Sequence, residues 1–295
     1  MSNYQQFDRV YLCTLAQFKT QRYGGGTVET YSADDDATID FYIQQASRMI
    51  VDEVLHQLPL PYVDTLKFDA PHTYEDGRVM GFDFINAYVL YTGDDAPLLE
   101  VTTLTNGDGT TIASSDYVLY PANNAVKSKI RIKSSAIETF DYTTTWEQSI
   151  TVAGTWGYVP HYDRAWFDSD KNIPAGGLSA SATSFTFSTA SDASAYSTGD
   201  YIRVDAEVML VTDSNTSTGV VTIERGVLGT TATTHDAATD IEQFRQHQQI
   251  MAETALFASS MYNAKRGFFD GSTPLPTEAI EGIRQRLAAH VRYNA

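Results

Sequence analysis

The sequence predicts an α+β protein, a helical bundle with a β portion, plus an inserted all-β small domain. Three observations carry that expectation. Apolar residues recur at helical spacing in two separated stretches, 39–54 and 244–265. Between them lie runs rich in Tyr, Phe, Thr and Val, the residue types that fit a pleated surface. The composition also shifts near Pro174: residues 174–243 contain no lysine and set nine acidic residues against Arg203 and Arg225. The expected division is a core at 1–173 and 244–295, built of helices and β hairpins, with a β module at 174–243.

Taken in order, Asp34, Asp35 and Asp36 offer an N-cap and negative charge to the start of the first long helix. Ile39, Tyr42, Ile43, Ala46, Met49, Ile50 and Val54 continue it for about five turns, until Pro59 and Pro61 forbid more. Leu12, Leu15 and Phe18 predict a short helix before the glycine run at 24–26. Strands are expected at 85–91, 98–104, 116–120, 130–132 and 149–152. Asn106-Gly107-Asp108-Gly109 supplies hairpin-forming dipeptides among them. The module adds short strands at 184–187, 201–204, 208–212 and 220–223. Phe244, His247, Met251, Ala255, Ala258 and Tyr262 predict a second long helix. Ile280, Ile283, Leu287 and Val291 predict a last one, after Pro274 and Pro276.

Charge narrows the function. The net charge is −17, with 20 basic against 37 acidic residues, which argues against gripping nucleic acid through its phosphates. An acidic surface instead lets DNA pass close by without adhering. The basic residues are concentrated, because Lys127, Lys129, Arg131 and Lys133 alternate with Val126, Ser128, Ile130 and Ile132, which gives a strand one basic face. An edge strand protected by lysine is the plainer reading, and a contact face for an acidic neighbouring subunit the sharper one. Arg284, Arg286 and Arg292 on the last helix suit its negative end and are further candidates for docking a partner, with a solvated face as the plainer reading. A single cysteine, Cys13, excludes an internal disulfide. No basic-then-apolar leader opens the sequence, and no run approaches the roughly 18 apolar residues of a membrane span, so a soluble, unexported protein is expected.

Templates for chemistry fail one by one. There is no Gly-Lys pair for a phosphate-binding loop and no Gly-x-Ser-x-Gly elbow. The histidines at 56, 72, 161, 235, 247 and 290 have no zinc-site spacing. Asp168-Ser-Asp170-Lys-Asn172 begins like a calcium loop but has Ile173 where glycine is needed and Ser179 where the bidentate Glu belongs. The stretch Arg225-Gly-Val-Leu-Gly-Thr-Thr-Ala-Thr-Thr-His235 is the most enzyme-like, with its glycines, hydroxyls, arginine and histidine. A phosphate cradle would need a helix start behind it, and none is predicted. It reads as a return turn, in which Gly226 and Gly229 bend the chain, His235 satisfies backbone groups and Arg225 pairs with an acid such as Glu207. No catalytic residue, metal or cofactor is expected.

Two family resemblances complete the reading. Over roughly 8–172 and 244–295, the ordered segments YLCTLAQFK, DDDATIDFYIQQASRMIVDEVLHQ, NGDG…SSDYVLYP, ITVAGTWGYVP and LPTEAIEGIRQRLAAHVRY resemble head–tail connector (neck adaptor, head completion) proteins of tailed bacteriophages. Over about 176–243, GDYIRVDAEVMLVT…VVTIERGVLGTTATTH resembles a small β module of phage structural proteins, matched at Gly199, Asp200, Glu207, Met209, Arg225, Gly226, Gly229, Thr230 and His235. The connector resemblance implies a structural virion protein at the head–tail junction, assembled in the host cytoplasm. It would form a homo-oligomeric ring, twelve-fold in that family, whose helical part meets the portal protein and surrounds the DNA channel. Its other partner would be a tail, stopper or tail-completion protein, and DNA would pass without specific binding or any membrane. The alternative is another virion tail or decoration protein carrying the same β module.

Overall fold

The computed structural model describes residues 7, 9–21, 33–71, 87–93, 96–265 and 276–288. The chain forms two compact units, one of Met1–Pro59 with Arg164–Ala295 and the other of Leu60–Asp163.

The first unit contains helices α1 (Leu15–Gln21), α2 (Ala33–Met49), α3 (Gln248–Lys265) and α4 (Pro276–Arg286). The periodic residues Ile39, Ile43 and Ala46 of α2 are buried, as are Ala255, Ala258 and Tyr262 of α3. Phe18 of α1 meets the Tyr262 ring edge-on, and the Tyr262 hydroxyl donates to Asp35 at 2.8 Å. One stripe of each helix therefore closes on the others. Beyond Met49, α2 widens into a π-helical turn at Ile50–Leu55, which ends at the left-handed His56 before Pro59. Arg284 of α4 donates to the Glu53 carbonyl at 2.7 Å, satisfying one of the acceptors that a helix end leaves open.

The same unit holds a six-stranded antiparallel sheet, ordered β8-β13-β10-β11-β12-β9. Its strands are β8 (Trp166–Asn172), β9 (Ser184–Thr186), β10 (Tyr201–Val204), β11 (Glu207–Asn215), β12 (Val220–Glu224) and β13 (Asp240–Phe244). Ile202, Val204, Met209, Val211, Val221, Ile223 and Ile241 fill the inner face, with Phe185 and Phe187 packed edge-to-face beside them. Alternation along each strand generates that core, since residues two apart share a face.

The second unit is β in its described residues apart from a 3₁₀ turn that begins at Tyr162. One sheet, ordered β1-β7-β3-β4, combines β1 (Tyr62–Phe68), β3 (Leu98–Thr105), β4 (Thr111–Ile112) and β7 (Ile150–Trp156). In β7, Ile150, Val152, Gly154 and Trp156 point inward alternately. Gly154 has no substitute, because a Cβ there would stand 2.1 Å from the Glu100 carbonyl oxygen of β3. The other sheet, β2-β6-β5, is built from β2 (Val89–Tyr91), β5 (Tyr117–Tyr120) and β6 (Lys129–Ile132). The Asn106–Gly109 turn joins β3 to β4, and the Asn106 amide is buried, donating to the Thr139 carbonyl and accepting from the Gly107 and Asp141 amides.

These observations correct the expected fold class. Thirteen strands in three antiparallel sheets, against four α-helices, make the described protein mostly β, and it is not a helical bundle with a β portion. The expectation undercounted strands where polar composition or helical spacing masked them. Trp166–Asn172 has few apolar residues because it is an edge strand. Phe244 belongs to β13, although its spacing to His247 and Met251 imitates a helix that begins only at Gln248. The six-stranded sheet also extends past the compositional break at Pro174, taking in β8 from 166–172. The unit boundaries fall at 59/60 and 163/164, in place of the divisions at 173/174 and 243/244 expected from composition.

Candidate functional site

The turn between β10 and β11 is a two-residue hairpin, Asp205–Ala206, with Asp205 in the left-handed region and Val204 opposite Glu207. It delivers Glu207 to the loop that follows β12. There Arg225 grips the Glu207 carboxylate with two parallel bonds, Nε to Oε1 and Nη2 to Oε2, both 2.7 Å. The Gly226 amide donates to Oε1 at 3.0 Å and the Thr233 amide to Oε2 at 2.9 Å. His235 places Nε2 2.9 Å from Oε2 and Nδ1 2.8 Å from Asp205 Oδ2. With a carboxylate oxygen at each nitrogen, both contacts are hydrogen bonds in the imidazolium form, where both nitrogens donate.

The rest of the loop is fixed around this centre. Arg225 also donates to the Ser179 and Thr233 carbonyls, each at 2.6 Å. His235 pairs through its backbone with Leu178, in both directions at 2.9 Å. The Thr230 hydroxyl accepts from the Val208 amide. Gly226 turns at φ +61°, and a Cβ there would press on Ala232 N and Thr230 O at 3.1 Å each.

This geometry answers what the loop RGVLGTTATTH does. Its amides do cradle an anion, but the anion is the protein's own Glu207. The side chains of Glu207 and His235 are 0% exposed and that of Arg225 8%; only Asp205, at 62%, faces solvent. Glu207, His235 and Arg225 are thus closed off from solvent and satisfied by one another, and the cluster locks the loop onto the β10–β11 hairpin. Burial pushes the Glu207 carboxyl up. Hydrogen bonds from Arg225, the Thr233 amide and His235, with the Arg225 charge, outweigh that and bring it down to about 2.

A second buried carboxyl behaves oppositely. Asp200 lies between Gly199 and β10, accepting from the Ser197 amide at 2.7 Å. Burial raises it to about 6, opposed by hydrogen bonds from Gln243 and Ser197. The cavity beside it, lined by Tyr11, Cys13, Asp200 and Tyr201 among others, measures ≈ 20 Å³, room for a water and far too little for a substrate. Cys13 itself is buried, and burial pushes its thiol up, away from the reactive thiolate.

The basic strand is placed differently from the plainer expectation: β6 is the central strand of its sheet, with β2 and β5 on either side. Ile130 and Ile132 are buried, so Lys129 and Arg131 occupy the opposite face. Lys129 sits between two tyrosine rings, 5.7 Å from the centre of Tyr91 and 6.0 Å from that of Tyr120. Lys127 and Lys133 donate to backbone carbonyls, of Pro121 and Ala122 and of Ser115 respectively. Among the described residues, none of the four cations has a carboxylate partner. The arginines of α4, though exposed, bond within their own unit: Arg286 pairs with Glu253 of α3 at 2.7 Å, and Arg284 with Glu281 of its own helix and the Glu53 carbonyl. They clamp α4 onto its own unit. Arg292 lies outside the described residues, as do His72, His290 and the glycine run at 24–26.

The rejected calcium sequence is strand β8, with Asp170 at φ +56° and Asn172 bonded to Asp240. Among the described residues no group of three or more His, Cys, Asp or Glu side chains is placed to hold a metal ion, and no helix is long and apolar enough to cross a membrane. The pairing of Arg225 with Glu207 was foreseeable from the sequence. The Asp205–His235–Glu207 relay was not, because it depends on a hairpin that brings residues about thirty apart in sequence into contact. Compared with protein-family models, curated proteins and solved structures, the chain matches none.

Proposed function

We propose that this chain is a structural subunit of a tailed-phage virion, forming a ring that joins the portal of the capsid to the tail and through which DNA passes. The connector assignment rests on the ordered motifs that resemble that family. Its non-catalytic character is supported by the fate of the most enzyme-like residues: Arg225, His235 and Glu207 are consumed in one buried, mutually satisfied cluster. The charge of −17 fits a passage to which DNA must not adhere.

The test is assembly. Purified protein, alone and mixed with portal protein, is examined by native mass spectrometry and negative-stain microscopy. Rings of about twelve copies stacked on the portal are expected, identical head-to-tail contacts closing into a ring where the rotation allows. Protein that stays monomeric with and without portal, or that labels the tail or capsid surface of virions rather than the neck, would sink the connector reading. Labelling of the tail or capsid surface would favour a tail or decoration protein.

A further inference from the structure

We infer that the outer face of the β2-β6-β5 sheet is the docking surface for a second copy of this chain, and that it receives that copy's acidic β8-β13 face. The inference rests on the ring reading and specifies its contact.

The basic half is a built surface. Burial of Ile130 and Ile132 forces Lys129 and Arg131 onto one side of β6. The registers Tyr91↔Lys129↔Tyr120 and Val89↔Arg131↔Val118 place two tyrosines and two valines around them. Tyr91 is 57% exposed. Aromatic side chains and arginine on an open face, with cations that have no carboxylate partner among the described residues, are the features of an interface centre. In a chain of net charge −17 such a face is a local exception, and the complement most available to it is the same chain.

The acidic half lies on the edge of the six-stranded sheet. Along β8 the exposed positions are Asp168, Asp170, at a register shift with φ +56°, and Asn172, with Asp240 opposite Asn172 on β13; Glu242, opposite Asp168, is already held by Arg203. Lys171 alternates away from them and pairs with Asp192. Among the described residues Asp168, Asp170 and Asp240 have no cationic partner. Two sheet faces of opposite charge, on different parts of one chain, make a head-to-tail contact, the kind that closes into rings when the rotation allows.

Charge-swap pairing tests this. The variant K129E/R131E and the variant D168K/D170K are purified separately, and folding is checked by circular dichroism. Each alone is expected to need at least ~10-fold more protein to assemble, because like charges then face each other. An equimolar mixture should recover rings of alternating copies, since the two altered faces complement each other and so do the two unaltered ones. The chain carrying all four substitutions should recover as well. Normal assembly by either single variant would overturn the inference while leaving the ring reading intact. So would failure of both the mixture and the four-fold variant to recover. Loss of single-stranded oligonucleotide binding in K129E/R131E with assembly unchanged would also overturn it, assigning the face to nucleic acid. If the unsubstituted protein forms no ring with portal, the ring reading itself fails.

Discussion

At Arg225 every guanidinium nitrogen is engaged within its own module, whereas Arg131 stands exposed with no carboxylate beside it among the described residues. The two arginines belong to one acidic chain, and local alternation decides their fates. In β6 the buried positions belong to Ile130 and Ile132, so the cations between them must face out. Arg225 follows β12 directly, where the chain folds back over the β10–β11 hairpin, and a cation carried inward there requires an anion with it. Glu207 is that anion. Placed on a surface, a charge is free to meet a partner, while in the interior it fixes a fold.

The strongest way to break the comparison is to remove the buried anion. Glu207→Ala strands Arg225 and His235 and frees the Gly226 and Thr233 amides, so a loss of about 3–5 kcal/mol is expected. Urea unfolding measures it, with hydrogen exchange showing whether the loss is confined to β10–β12. The wild-type lock also has an acid limit. Its carboxyl is depressed from an ordinary 4.5 to about 2, so its contribution is fully present above about pH 4.5 and disappears as the pH falls towards 2. A stability profile flat through that window would show that the lock contributes nothing.

How much of this was legible beforehand follows from where the information sits. Ile39, Ile43 and Ala46 announced α2 because helical burial is written in local spacing. Asn106–Gly109 announced a turn for the same reason. β8 was illegible, since an edge strand of Asp, Ser and Asn carries no apolar alternation and is defined only by its partner β13, about 70 residues away in sequence. β13 was misread because three residues, Phe244, His247 and Met251, fit a helical period by chance. With them went the balance of the fold class. The lock was half legible: Arg225 needed an acid, and Glu207 was one candidate on the same module, but the burial of His235 between two carboxylates emerged only with the hairpin in place.

Asp200 sharpens the comparison from the other side, as a buried acid with no cationic partner among the described residues. Its carboxyl is raised from an ordinary 3.8 to about 6, so ionising it opposes folding. That penalty is absent below about pH 3.8, grows through pH 6 and is complete above it. Asp200→Asn keeps an acceptor for the Ser197 amide, and the Gln243 amide can turn to meet the new donor. The variant is expected to be more stable than the parent by about 1–3 kcal/mol at pH 7. The two should converge near pH 4. A variant equally stable or weaker at pH 7 would mean that Asp200 is neutralised by a partner that the geometry does not reveal.

The smallest effect is expected where the comparison began. Arg131→Ala removes an exposed cation that has no ion pair among the described residues and leaves Ile130 and Ile132 in place, so monomer stability should change by no more than about 0.5 kcal/mol. Arg225→Ala, an identical change of residue type, should instead cost several times as much, because it abandons a buried carboxylate. Measured side by side in one denaturant series, the pair separates charge held for the fold from charge left for a partner. If Arg131→Ala were as damaging as Arg225→Ala, the β6 cation would be part of the fold, and the open face would lose its standing as a surface kept for docking.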